Sequence, residues 1–334
     1  MNWGIDRVNN PFLSAILTIG WIPAGFTILA MDVQEATGMF VFAQAVAGGA
    51  VVIAPYDIWY YDERLLPSFF NNVDELVTDS DTDSLNRIAS HYDQFFSEKW
   101  WILTGIWLAL VTTVYVFGLD YFVSQGIDRT AEQIAYFGFI LYWILVAGLR
   151  STAVLTTLLT IRSFAKEVEL DIDPLHPDGL GGLSLVGDLA IKSTLIISTG
   201  SFALPLALNI ANHLQYNTVV YVGVSLFVLL VALNFVYPTY IVNRRAQDVR
   251  ETMLEERRTR IRDLEKEISN PKKADTPKNF DQIQMEIRRA RRDYQDFENV
   301  TLYPLSIGII VRLFSSVLLP FVFILLEIFL PKIL

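Results

Sequence analysis

Apolar runs of about twenty residues with few or no charges recur along this chain, and each is long enough to cross a bilayer as helix. In lipid a helix satisfies its own backbone hydrogen bonds, which an isolated strand cannot do. The runs cover residues 11–30, 36–54, 100–122, 134–161, 190–211, 219–241 and 303–330. The expected fold is therefore all-α: a polytopic membrane helix bundle with about seven transmembrane helices, lying in the plasma membrane. Hydrophobic residues make up 52% of the 334, as such a bundle requires. The second run contains "AVAGGAVVIAP", small enough for close helix approach. It is also the weakest span, and a re-entrant hairpin is the alternative there.

Arg and Lys set the orientation. The short connections 31–35, 123–132 and 212–217 hold a single basic residue, Arg129. The long ones hold Arg64, Arg87, Lys99, Arg162, Lys166 and the Arg-rich stretch 244–292. With seven spans every long connection falls on one side, so the N-terminus is expected inside and the C-terminus outside. A retinal protein runs the other way and needs a lysine within its seventh helix. Here the last run has none, and Lys332 lies beyond it.

The net charge is −10, with eight lysines against eighteen arginines and no cysteine. Acid excess with few lysines keeps a surface hydrated in high salt, so a halophile, an archaeon, is the expected source. Absence of cysteine excludes disulfides, thiol catalysis and sulfur-ligated metal. No nucleic-acid partner is expected, and "MNWGIDRVNN" offers no cleavable leader.

The domain plan has three parts: a bundle over 1–241 with an amphipathic cytoplasmic segment at 57–98, a cytoplasmic helical hairpin over 242–301, and a last span over 302–334. In the second hairpin arm Phe280, Ile283, Ile287, Ala290, Tyr294 and Phe297 repeat at heptad spacing. In the first, Ala246, Val249 and Met253, then Ile261, Leu264 and Ile268, form two offset pieces of seam. Thr276 and Pro277 supply capping chemistry between the arms. Within 57–98, Leu66, Phe69, Phe70, Val73 and Val77 share one face, and Leu85, Ile88, Tyr92 and Phe95 another. These faces pack either on the membrane surface or on the hairpin.

Three places could carry chemistry. "DSDTDS" at 79–84 alternates acids like a calcium loop, but Ser84 and Ser90 stand where such a loop needs glycine and glutamate. A solvated linker with Asp83 capping the next helix is the plainer reading. "DIDPLHPDGLGGL" at 171–183 groups Asp173, His176 and Asp178 as candidate ligands of a divalent cation, beside a glycine-rich helix start. A rigid reverse turn is its plainer reading, and an anion cradle is opposed by the neighbouring acids. Within the spans, Arg150 and Arg312 are candidate internal or pore-lining charges, because charge at membrane depth usually meets a partner or water. Ser315 and Ser316 lie beside Arg312. Lys192 and Glu327 can snorkel, and Pro23, Pro205, Pro238 and Pro320 are expected to kink their spans. There is no HExxH, GxSxG or GxxxxGK[ST] string, and His91 in "RIASHYDQFF" reads as a surface helix residue. The chain is expected to be no enzyme and to hold no cofactor beyond that possible cation.

The string "LHPDGLGGL" resembles one found in uncharacterised prokaryotic multi-pass proteins just after a span, which implies no activity. The layout (seven spans, N-terminus inside, long cytoplasmic extensions of the fourth, sixth and seventh helices) resembles the insect odorant and gustatory receptor channels. That resemblance implies a homo-oligomer joined through 242–301 and a seventh helix lining a pore near Arg312, Ser315 and Ser316. The family's short Thr-Tyr and Gln-Phe elements are not matched in "YPLSIGIIVRLFSSVLLPF". The leading expectation is an oligomeric ion channel. The alternatives are a scaffold or signalling protein presenting the hairpin to partners, and a metal-dependent membrane enzyme at the HPDG loop.

Overall fold

The apolar runs become helices in a computed structural model that describes residues 10–22, 24–25, 36–73, 82–168, 184–214, 217–268, 277–298 and 322, with no strand among them. In order these are α1 (Pro11–Ala15, continued by a π-turn, Ile16–Gly20), α2 (Gly38–Tyr60), a π-turn (Tyr61–Leu65) and α3 (Leu66–Val73). Then come α4 (Thr82–Phe117), α5 (Leu119–Ser124), α6 (Thr130–Glu167) and α7 (Ser184–Ser198). A 3-10 turn (Thr199–Ala203) leads into α8 (Leu204–His213), and α9 (Thr218–Ile268) and α10 (Pro277–Glu298) follow. Among the described residues five helical stretches are long and apolar enough to cross a membrane: Gly38–Val73, Thr82–Phe117, Thr130–Glu167, Ser184–His213 and Thr218–Glu267. The apolar helix in the first run, Pro11–Gly20, is shorter, and 303–330 lies outside the described residues apart from Val322.

Side-chain pairs fix how the helices run. Tyr115 meets Gln133, Trp107 meets Ser151, and Tyr92 meets Ser163, so α4 and α6 are antiparallel. Gln44, Asp57 and Tyr61 meet Tyr136, Arg150 and Thr157, so α2 and α6 are parallel. The start of α2, the end of α4 and the start of α6 therefore share one end of the bundle, the short-connection end, and the opposite ends of these helices share the other, the long-connection end. At the short end α2 starts on Thr37, whose Oγ1 accepts from the Phe40 N–H. The Thr37 hydroxyl and N–H in turn donate to Gln125 Oε1 at 2.9 and 3.0 Å. Gly126, at φ 86°, takes the left-handed turn that closes this connection.

The α4–α6 crossing is the tightest. A Cβ on Gly148 would lie 2.1 Å from Thr104 Oγ1 and 2.5 Å from its Cα. Only glycine permits that approach. Ser184–His213 is central, with 72% of its apolar window buried, against 6% for Thr82–Phe117, which faces outward.

Pro55 does not end α2, which continues into the π-turn and α3. Pro205 stands in the first turn of α8, where its missing N–H costs nothing, and α9 passes through Pro238. Tyr61, Leu65, Phe69 and Val73 are all buried although they are spaced by four residues. That spacing drifts about 40° per step on an α-helix. A π-turn holds more residues per turn and keeps the row on one face. The row packs with Leu85, Ile88, Tyr92, Phe96, Phe164, Leu189, Val242 and Ala246 into one core at the long-connection end. The described part of the amphipathic faces of 57–98 thus packs against extensions of the long helices, with Phe96 rather than Phe95 buried and Val77 outside the described residues. Beyond them α9 and α10 lie side by side. Arg257 donates to the Asp293 carbonyl at 2.6 Å, Arg258 to Tyr294 Oη, and Arg291 pairs with Glu265 at 2.6 Å.

Candidate functional site

Midway along the bundle, Arg150 Nη2 lies 2.5 Å from Asp57 Oδ2, with 4% and 7% of the two residues exposed. Arg150 stands about 24 Å of helix from Ile134 and about 16 Å from Ile161, deep within its apolar run. Three elements meet here. α6 brings Arg150, α2 brings Asp57 two residues beyond Pro55, and the 3-10 turn brings Thr199. The Thr199 hydroxyl is 2.9 Å from Asp57 Oδ2 and 2.7 Å from the Ile196 carbonyl, so its one proton is shared between them. A 3-10 segment inside a long helix is a frequent hinge, because its hydrogen bonds are poorer. Arg150 Nε has no acceptor among the described residues.

Taking two charges out of water costs several kcal/mol per ion, and only good geometry offsets it. An apolar pair of similar volume would hold the helices at least as well. The pair is therefore poorly explained as a packing device.

On the long-connection side of the pair the helices are lined with hydroxyls. Tyr61 Oη lies 2.9 Å from Thr157 Oγ1, which donates onward to the Ala153 carbonyl. Thr156 and Thr160 are fully buried with no hydroxyl partner among the described residues. Tyr92 Oη reaches Ser163 Oγ at 2.8 Å, nearer the charged end. On the neighbouring seam Asn234 Nδ2 donates to Ser193 and Thr194 at 3.0 and 3.1 Å.

On the short-connection side the lining is apolar. A cavity of about 150 Å³ is walled by Trp107, Tyr115, Tyr136, Trp143 and Phe227, with Arg150 and Ser151 at its floor. Beyond it Tyr121 donates to Asn209 and stacks on His213 with centroids 4.7 Å apart. Tyr136 donates to Gln44 at 3.2 Å.

Of the residues expected from sequence, Arg150 is at this centre. Asp173, His176 and Asp178, and likewise Arg312, Ser315 and Ser316, lie outside the described residues. No cluster of three His, Cys, Asp or Glu suited to a metal occurs among the described residues. Lys192 pairs with Asp188 at 3.4 Å, both half-exposed, and His91 is exposed against the edge of Tyr92. Sequence reasoning missed Asp57 and Thr199. The signal for Asp57 was a lone acid in "VVIAPYDIWYY", apolar on both sides, in a chain where Arg150 lacked an obvious counter-charge.

The chain matches no protein family, no curated protein and no solved structure.

Proposed function

We propose that this chain is a non-enzymatic, multi-pass plasma-membrane transport protein in which the Asp57–Arg150–Thr199 centre gates the passage of a small ion. The buried pair itself carries the proposal. It sits between a stretch of buried hydroxyls and an apolar cavity, and Asp57 is tied through Thr199 to a helix break able to move. Charges at membrane depth commonly mark ion pathways, and apolar constrictions gate by shedding water. In the closed form Arg150 is locked on Asp57 and the aromatic cavity is dry. Opening separates the pair through the Thr199–Ala203 turn and lets water join the two halves.

The full reading keeps seven spans, the N-terminus inside and the C-terminus outside. It includes homo-oligomerisation through 242–301 and a last helix that brings Arg312, Ser315 and Ser316 near the ion path. It also keeps Asp173, His176 and Asp178 as candidate ligands of a divalent cation on the cytoplasmic side. Reconstitution in liposomes tests the function: ion flux that rises in Asp57→Asn supports it. A monomer that passes no ion, in wild type or variant, refutes it.

A scaffold reading is favoured by the α9–α10 arms, which carry exposed Arg258, Arg262 and Met285 away from the bundle. It expects recovery of a cytosolic partner by the full chain, loss of that partner when the arm surfaces are changed, and no flux.

A further inference from the structure

We propose that the ion admitted by this centre is a small monovalent anion, and that Arg150 and Thr199 form its binding site, occupied in the closed form by the Asp57 carboxylate. Passage of that anion presupposes the gate proposed above, whereas the site itself stands on geometry. Two donors from different elements converge on one oxygen. Arg150 Nη2 lies 2.5 Å from Asp57 Oδ2, and the Thr199 hydroxyl lies 2.9 Å from the same atom. What they enclose is a singly charged carboxylate. Arg150 and Asp57 are both buried, so together they make an anion site whose anion is tethered to the chain.

The sign of the ion follows from which partner can leave. Arg150 is pinned on α6. Two residues before it, a Cβ on Gly148 would lie 2.5 Å from the Thr104 Cα, and the next residue, Ser151, accepts the Trp107 indole N–H at 2.9 Å. α4 therefore grips α6 on both sides of Arg150. Asp57 has the weaker anchorage. It lies two residues beyond Pro55, which removes a backbone hydrogen bond inside α2, and four before the π-turn Tyr61–Leu65. Its hydroxyl partner Thr199 opens a 3-10 turn, whose hydrogen bonds are poorer than those of an α-helix. When the pair parts, the carboxylate moves and the guanidinium stays. The path then carries a fixed positive charge, which repels a cation and draws an anion, as basic side chains do in anion pores. The hydroxyls of Tyr61 and Thr157, further along α2 and α6, can donate or accept. They admit an anion without deciding the sign.

Asp57→Ala removes the carboxylate that formate can supply. Thermal unfolding of the full chain in detergent micelles is followed in equal concentrations of sodium formate, chloride and gluconate, for wild type, Asp57→Ala and Asp57→Ala/Arg150→Met. Formate and chloride are expected to raise the Tm of Asp57→Ala above its value in gluconate, which is too large for the site. An anion at about ten times its dissociation constant raises the folded-to-unfolded ratio about tenfold. Wild type, whose site is filled, and the double variant, which lacks the guanidinium, are expected to show no such difference. Equal Tm of Asp57→Ala in the three salts, or the same rise in the double variant, overturns the site. The nearly isosteric Asp57→Asn gives a second reading in liposomes, where chloride flux without potassium flux is expected. Potassium flux overturns the anion inference and leaves the gate standing. No flux of either ion overturns the gate and the anion's passage, and stabilisation of Asp57→Ala by formate then upholds the site alone.

Discussion

The bundle is two different materials joined at one ion pair. Toward the short connections Trp107, Tyr115, Tyr136 and Phe227 wall a cavity whose lining is mostly apolar apart from Arg150 and Ser151. Toward the long connections Thr156, Thr157 and Thr160 on the same helix are fully buried, and Tyr61 and Tyr92 point their hydroxyls at it. Packing alone would favour one chemistry throughout, since apolar side chains fill both halves equally well. Thr156 and Thr160, buried with no hydroxyl partner among the described residues, give water a foothold on that side of the pair. The charges stand at the boundary.

The largest effect should come from splitting the pair. Arg150→Met leaves Asp57 buried without its cation and should cost about 3–5 kcal/mol. Adding Asp57→Asn should recover most of the loss, as a double-mutant cycle in micelles would read. Simple additivity would show that the two residues are not coupled. Next is the helix crossing that holds both halves in register. Gly148→Ala forces a Cβ against the Thr104 backbone and should cost about 1–3 kcal/mol. Gly105→Ala on the partner helix, with open space around it, should be neutral or slightly stabilising by unfolding midpoint. Within the hydroxyl half, Tyr61→Phe removes the bond to Thr157 and should cost about 1 kcal/mol. Smallest of all, Tyr294→Phe removes the exposed Arg258 contact on α10 and should leave the Tm unchanged while slightly loosening hydrogen-exchange protection of the arm.

The sequence made some of this legible and concealed the rest for identifiable reasons. Uncharged runs announced the helices, because length and apolarity are local properties. Arg150 stood out as a charge inside such a run. Its partner did not, because Pro55 reads as a helix end. Packing of Tyr61, Leu65, Phe69 and Val73 into a shared core carries the helix through it instead. Thr199 was hidden for a related reason. "TGSFALP" announces a break through Pro205, whose ring and missing N–H disfavour the preceding helical turn, but nothing local says that Thr199 meets Asp57 on α2. Most of the described positions on the faces of 57–98 were readable from spacing, although Phe96 is buried where spacing pointed to Phe95. What they cover depends on distant residues such as Phe164, Leu189 and Val242, which no local pattern reveals.

The chain has no cysteine, so single introduced thiols report on water directly. The decisive measurement is labelling of Thr160→Cys and Ala207→Cys by a membrane-impermeant thiol reagent in reconstituted protein, with and without Asp57→Asn. The gate account predicts that Thr160→Cys reacts in both backgrounds, whereas Ala207→Cys reacts only when Asp57→Asn releases the pair. A Thr160→Cys that stays unreactive, or an Ala207→Cys indifferent to Asp57→Asn, would contradict a gate at Asp57 and Arg150.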